Sequence, residues 1–181
     1  MNLLNAKGPT RLPDCFNKYK LTLWEAIEVH LENGFLLSAL SDMGFSGFLV
    51  NMFYDKDTKT TYCWQTRIGS SKLQIAKNLM YGNTTEVTTK NSFIKFINNF
   101  EKGECIVSGK HKGKCLVNPY DNTIKVDNIR NNYKQCNIEY EFRLKRISKP
   151  SIVCVPFPLT NNRPQYSEKD FFKIEGKINN K

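Results

Sequence analysis

Histidine is nearly missing from this chain: His30 and His111 are the only two among 181 residues. A serine or cysteine nucleophile needs a histidine base held by an acid, with only these two histidines to choose from, and nothing in the local sequence supports one. The Gly-x-Ser-x-Gly elbow is absent, as are the short paired motifs of the two-histidine phosphoesterases, since Leu-Glu follows His30 and Lys-Gly follows His111. The six cysteines, Cys15, Cys63, Cys105, Cys115, Cys136 and Cys154, include no Cys-x-x-Cys pair, which argues against a zinc site. No apolar run nears the roughly 18 residues of a membrane span. The longest candidate, Phe35 to Phe53, is interrupted by Asp42, Gly44, Gly47 and Asn51. The opening "MNLLNAKGPTRLPDC" lacks the basic-then-apolar order of a signal peptide. The expectation is a protein kept in the cytoplasm or another reducing compartment, with its cysteines as reduced structural thiols.

Arginine is also scarce, at 6 residues against 21 lysines and 20 asparagines. Net charge is nonetheless +10, with +3 in residues 1–100 and +7 in residues 101–181. A clustered positive field favours polyanions. The Lys and Asn richness is also what an adenine-rich coding sequence yields without selection for binding, and a bidentate base reader would lean on Arg.

With 40% hydrophobic and 24% charged residues the chain has globular composition. Residues 1–158 are expected to form one α+β domain with an extended lead-in, and residues 159–181 a peripheral C-terminal arm docked through Phe171, Phe172 and Ile174. "TLWEAIEVHLENG" has capping-box spacing at Thr22 and Glu25, Trp24, Ile27 and Leu31 at helical spacing, and Gly34 as a stop. It predicts a helix over 23–33. "FLLSALSDMGF" reads as a second short helix or a buried strand, with the helix preferred. "SSKLQIAKNLMYG" and "NSFIKFINNFEKG" read as amphipathic helices, the latter setting Phe93, Phe96, Ile97 and Phe100 at i, i+3, i+4 and i+7. Between these lies a hairpin. Phe48, Val50, Met52 and Tyr54 alternate before the turn Asp55–Lys59, and Tyr62, Trp64, Thr66 and Ile68 after it.

From residue 104 the period becomes two. "ECIVSG" and "KCLVN" flank a basic turn, "NTIKV" turns Lys125 outward, and "NIEYEFRLKRI" sets Ile138, Tyr140, Phe142 and Leu144 opposite Glu139, Glu141, Arg143 and Lys145. "SIVCVPF" is an apolar strand ended by Pro156. The fold class expected is therefore α+β, with helices and one hairpin in the first half and a mostly antiparallel sheet in the second.

"IVSGKHKGKCLV" invites a phosphate-loop reading, which fails. Gly109 and Gly113 are one residue too close, and Cys115 stands where a hydroxyl is needed. What remains is a hairpin tip displaying Lys110, His111, Lys112 and Lys114. The function expected is binding of a polyanion, RNA or DNA above all, through that tip and a basic sheet face carrying Lys125, Arg143, Lys145 and Arg146. Contacts would go mainly to phosphates, without any cofactor. Tyr62 and Trp64 follow the inward alternation, so core packing is expected of them, not base stacking. Two alternatives stand beside this. One is a non-enzymatic assembly or matrix-type subunit linking nucleic acid to a membrane or shell, forming a homo-oligomer through the arm. The other is a Mg²⁺-dependent nuclease using Asp121, Glu139 and Glu141, an acid followed by a strand-borne acid pair.

Overall fold

Along Leu23–Leu31 the side chains alternate in burial residue by residue, Ile27 and Val29 turning in while Trp24, Ala26, Glu28 and His30 turn out. That is the period of a strand, not a helix. The structure, a computed structural model, describes residues 22–76, 79–119, 132–155 and 165–180. Among the described residues it is almost entirely antiparallel sheet, with no α-helix. One 3₁₀ turn occurs, at Ser70–Lys72.

Strands β1 (Leu23–Leu31), β2 (Gly34–Asp42), β3 (Ser46–Asp55) and β4 (Thr60–Gly69) form an antiparallel meander. A second run of neighbours follows: β5 (Leu73–Gln74), β6 (Asn83–Thr88), β7 (Ser92–Asn99), β8 (Glu104–Pro119) and β9 (Tyr133–Arg146). Strand β12 (Phe172–Asn180) adds to the outer edge of β9. Strands β10 (Ser151–Val155) and β11 (Gln165–Lys169) pair separately. The two halves are continuous where Thr60–Cys63 of β4 pairs with Leu116–Pro119 of β8.

Their inner faces meet over a core that includes Leu36, Leu40, Leu49, Phe96, Ile138 and Phe142. Each fully buried side chain of this size contributes about 1.5–3 kcal/mol. Polar pairs span the same interface. The Tyr140 hydroxyl on β9 donates to Asn51 Oδ1 on β3 at 3.1 Å and meets the Ser38 hydroxyl on β2 at 2.6 Å. Asn98 Nδ2 on β7 donates to Glu25 Oε1 on β1 at 2.7 Å.

The α+β expectation is thus overturned, and each helix in it has a physical correction. The segment 23–33 is β1 and its turn, with Glu25 directed inward to Asn98 and not capping a helix. "FLLSALSD" is β2. Ser70–Gln74 is the 3₁₀ turn followed by β5. "SFIKFINN" is β7: Ile94, Phe96 and Asn98 face in, while Phe93 and Ile97 face out. Apolar residues on both faces mimicked the helical stripe, and the Phe and Ile content favours a pleated surface. The hairpin at 46–69 is present with the expected alternation in each strand, the two sets lying on opposite faces of the sheet. Met52 lies opposite Cys63, so Phe48, Val50, Met52 and Tyr54 line the outer face while Trp64 and Ile68 are buried.

Strands at Glu139–Lys145 and Ser151–Val155 stand as expected. "NTIKV" lies outside the described residues. From the segment expected as an arm, β12 pairs with β9 along nine residues and packs Phe172, Ile174 and Ile178 on the core. Cys63, Cys105, Cys115 and Cys136 are free thiols. No helix among the described residues is long and apolar enough to cross a membrane.

Candidate functional site

The basic turn at residues 110–114 is no turn. It is the middle of β8, a strand of 16 residues hydrogen-bonded to β7 on one edge and β9 on the other. Its glycines serve close approach. A Cβ on Gly109 would collide with the Tyr140 ring, and one on Gly113 would press on the His111 ring at 3.2 Å. Neither glycine has a positive φ. With the strand extended, even-numbered residues face out, so Lys110, Lys112 and Lys114 form an exposed stripe.

His111, expected at the tip, faces inward instead and is buried. Its ring stacks on Trp64 with centroids 5.4 Å apart, and Nδ1 lies 2.8 Å from the Ser92 hydroxyl. Burial holds its pKa below the ordinary histidine value, partly offset by a backbone hydrogen bond at Lys114. A neutral ring is the result at pH 7.

A cleft opens beside the stripe. Strand β7 pairs with β8 only as far as His111, and β4 pairs only from Leu116. Between these limits the Lys112 amide donates to the Asn91 carbonyl at 2.8 Å, which draws the β6–β7 turn against β8. Facing that turn across a concavity of about 240 Å³ is the end of β4. Thr66, Arg67 and Lys72 line one side, Thr88, Thr89 and Lys90 the other. The lining contains no carboxylate, and none of the ion pairs among the described residues involves Arg67, Lys72 or Lys90. The Thr89 hydroxyl is engaged within its own turn by Ser92. Asp42, the acid tied to this region, accepts from Ser70 Oγ at 2.9 Å and from the Gly44 amide at 2.8 Å.

Other expected residues are distributed differently. Arg143 and Lys145 do face out on β9, but Glu141 and Glu139 separate them from the lysine stripe. Across the strands Lys145 lies opposite Glu104 and Lys173, and Arg143 opposite Ile106 and Glu175. That sheet face is a chequer of both signs. Lys110 reaches Glu139 at 3.5 Å, an exposed pair contributing at most about 1 kcal/mol.

Arg146 is turned to another task. Its Nη1 is 3.0 Å from Asp170, its Nη2 donates to the Phe100 carbonyl, and its guanidinium lies 6.0 Å from the Phe100 ring centroid. Lys125 and Asp121 lie outside the described residues. Glu139 and Glu141 do share a face of β9, one across from Lys110 and the other across from Ser108 and Lys177. No group of three metal-ligating side chains occurs among the described residues. His30 is exposed on β1, with its ring edge-on to Phe35 at 5.1 Å.

Arg67, Lys72 and Lys90 went unnoticed in the sequence. They are single cations set among threonines and serines, in two stretches of the chain that the β5–β6 pairing and the divergence of β4 from β8 bring to one concavity. No family model matches the chain, and neither a curated protein nor a solved structure does.

Proposed function

We propose that the protein binds a polyanion, nucleic acid foremost, along the arc that runs from Lys114, Lys112 and Lys110 through Lys90 into the cleft of Arg67 and Lys72. The observation that carries this reading is the convergence on one concave surface of three cations that have no acidic partner among the described residues, next to an outward lysine stripe. The β6–β7 turn joins the two through the Lys112–Asn91 backbone hydrogen bond.

Phosphates fit both parts. A strand backbone crossing the arc would exchange its condensed counterions for lysine contacts, and the entropy of their release supplies most of the affinity. Arg67 adds a planar fork suited to a phosphate at the cleft. Base stacking has little part in this scheme, because Trp64 is consumed by His111 inside the molecule. Discrimination among sequences is therefore weak, as for any contact made to the backbone alone.

Fluorescence anisotropy with labelled single-stranded and duplex oligonucleotides tests the proposal. Lys72→Ala together with Lys90→Ala is expected to weaken binding about tenfold or more, while Lys173→Ala on the chequered face leaves it unchanged. Equal losses from both, or no binding by the parent protein, would refute the arc.

A further inference from the structure

Three of the exposed apolar side chains gather at one end of the β1–β4 meander: Trp24, Met43 and Phe45, at 52%, 37% and 64% exposure. Met43 and Phe45 flank Gly44 in the turn between β2 and β3, and Trp24 stands beside them because Leu23 lies opposite Asp42 and Trp24 opposite Ser41. The turn is well tied down. The Met43 amide donates to the Ser46 carbonyl at 2.9 Å, and Gly44 takes a φ of 87° that suits only glycine without cost. Asp42 accepts from both the Gly44 amide and Ser70 Oγ, which fastens the turn to the segment bearing Lys72.

This apolar end adjoins the basic cleft. Ser46, next after Phe45, pairs with Gly69 at the cleft wall. Trp24, Ser41, Phe48 and Arg67 form one row across the outer face. A projecting apolar turn beside cations that lack acidic partners among the described residues has the chemistry of a surface that meets anionic lipid. Apolar side chains enter the boundary between headgroups and acyl chains, while Lys and Arg remain at the phosphate level. A nucleic acid would use the cations and leave Met43 and Phe45 in water. Most apolar surface clusters await a protein partner, but here the adjoining acid, Asp42, is engaged by the Gly44 amide and Ser70 Oγ, while Arg67, Lys72 and Lys90 have no acidic partner among the described residues and complement a lipid headgroup layer.

We infer that this end of the molecule docks on an anionic bilayer surface, with Trp24, Met43 and Phe45 inserted and Arg67, Lys72 and Lys90 against lipid phosphates. Docking does not depend on nucleic-acid binding, yet the two share the cleft cations and therefore compete.

The test uses the full chain with vesicles of phosphatidylcholine alone and of phosphatidylcholine mixed with phosphatidylserine. Co-sedimentation is expected with the mixed vesicles only, and lipids brominated near the headgroup should quench Trp24 emission. Met43→Ser combined with Phe45→Ser, both at exposed positions, should cut vesicle partitioning about tenfold or more and leave oligonucleotide binding intact. The inference is overturned if the parent protein ignores anionic vesicles, if Trp24 is not quenched, or if the double variant partitions like the parent. Loss of oligonucleotide binding in the double variant would also overturn it, by placing the turn in the nucleic-acid surface; failure of oligonucleotide binding alone would leave it standing.

Discussion

Arg146 and Glu25 illustrate how a charged side chain can be absorbed by the architecture. Arg146 bridges Asp170, which is 2% exposed, and the Phe100 carbonyl, so it holds β9 to the turn after β7 and to the start of β12. Removing one member of such a pair strands the other charge in a desolvated site. Arg146→Ala is therefore expected to cost about 2–4 kcal/mol of stability in urea titrations, with polyanion affinity unchanged. Glu25 faces into the interface of the two halves, where burial raises its pKa despite hydrogen bonds from Thr85 and Asn98. Its negative charge in turn adds to the burial that pushes the Cys105 thiol up to about 12.

The raised carboxyl and the lowered histidine have opposite consequences for stability against pH. Because the folded Glu25 holds its proton more tightly than the unfolded one, its contribution is largest in acid and is lost as pH rises above 4.5 through the raised value. The folded His111 holds its proton less tightly, so its contribution is full above 6.5 and is lost as pH falls below that through the lowered value. Urea midpoints measured from pH 4 to 8 check both. Glu25→Gln should stabilise the protein by about 1 kcal/mol at pH 7 and lose that advantage in acid. His111→Gln should flatten the decline of stability below 6.5.

At the scale of elements, β8 dominates. From Glu104 to His111 it is hydrogen-bonded on both edges, whereas among the described residues β1, β5 and β12 each pair on one edge alone. Hydrogen exchange should accordingly be slowest in β8 and in the facing part of β9, and fastest in β1 and β12. Uniform exchange across all strands would contradict the pairing. The same strand shows what could be read in advance. Alternation in β9 was legible because, from Ile138 to Lys145, every outer residue is charged and every inner one apolar or aromatic. In β8 two glycines and three lysines looked like a turn, since nothing local reveals that Tyr140 and His111 claim the space a Cβ would fill. In β7 apolar residues stand on both faces, and their spacing satisfied a helix as well as a strand. Strands buried on one side and half-covered on the other carry no clean period.

On the scale of the molecule, the positive excess divides into two kinds of surface. Around β9 and β12, cations and acids are mixed across the strands, Arg143 meeting Glu175 and Glu141 meeting Lys177 although Lys145 meets Lys173, and their fields partly cancel beyond a Debye length. Along β8 and the cleft they do not alternate, because Arg67, Lys72 and Lys90 come from two distant stretches with no acid lining the space between them. The lysine stripe was visible in the sequence, though as a tip. The cleft was not, since it depends on long-range pairings: β4 pairs with β8 for four residues and then departs, while β5 pairs with β6.

The most direct measurement is the dependence of oligonucleotide affinity on salt concentration. With the six cations of the arc engaged, the logarithm of the association constant should fall with the logarithm of salt at a slope of about −4 to −5, shallower by about two units after Lys112→Ala and Lys114→Ala together. A flat dependence, or a slope untouched by those substitutions, would mean that the cations of the arc do not act as one surface.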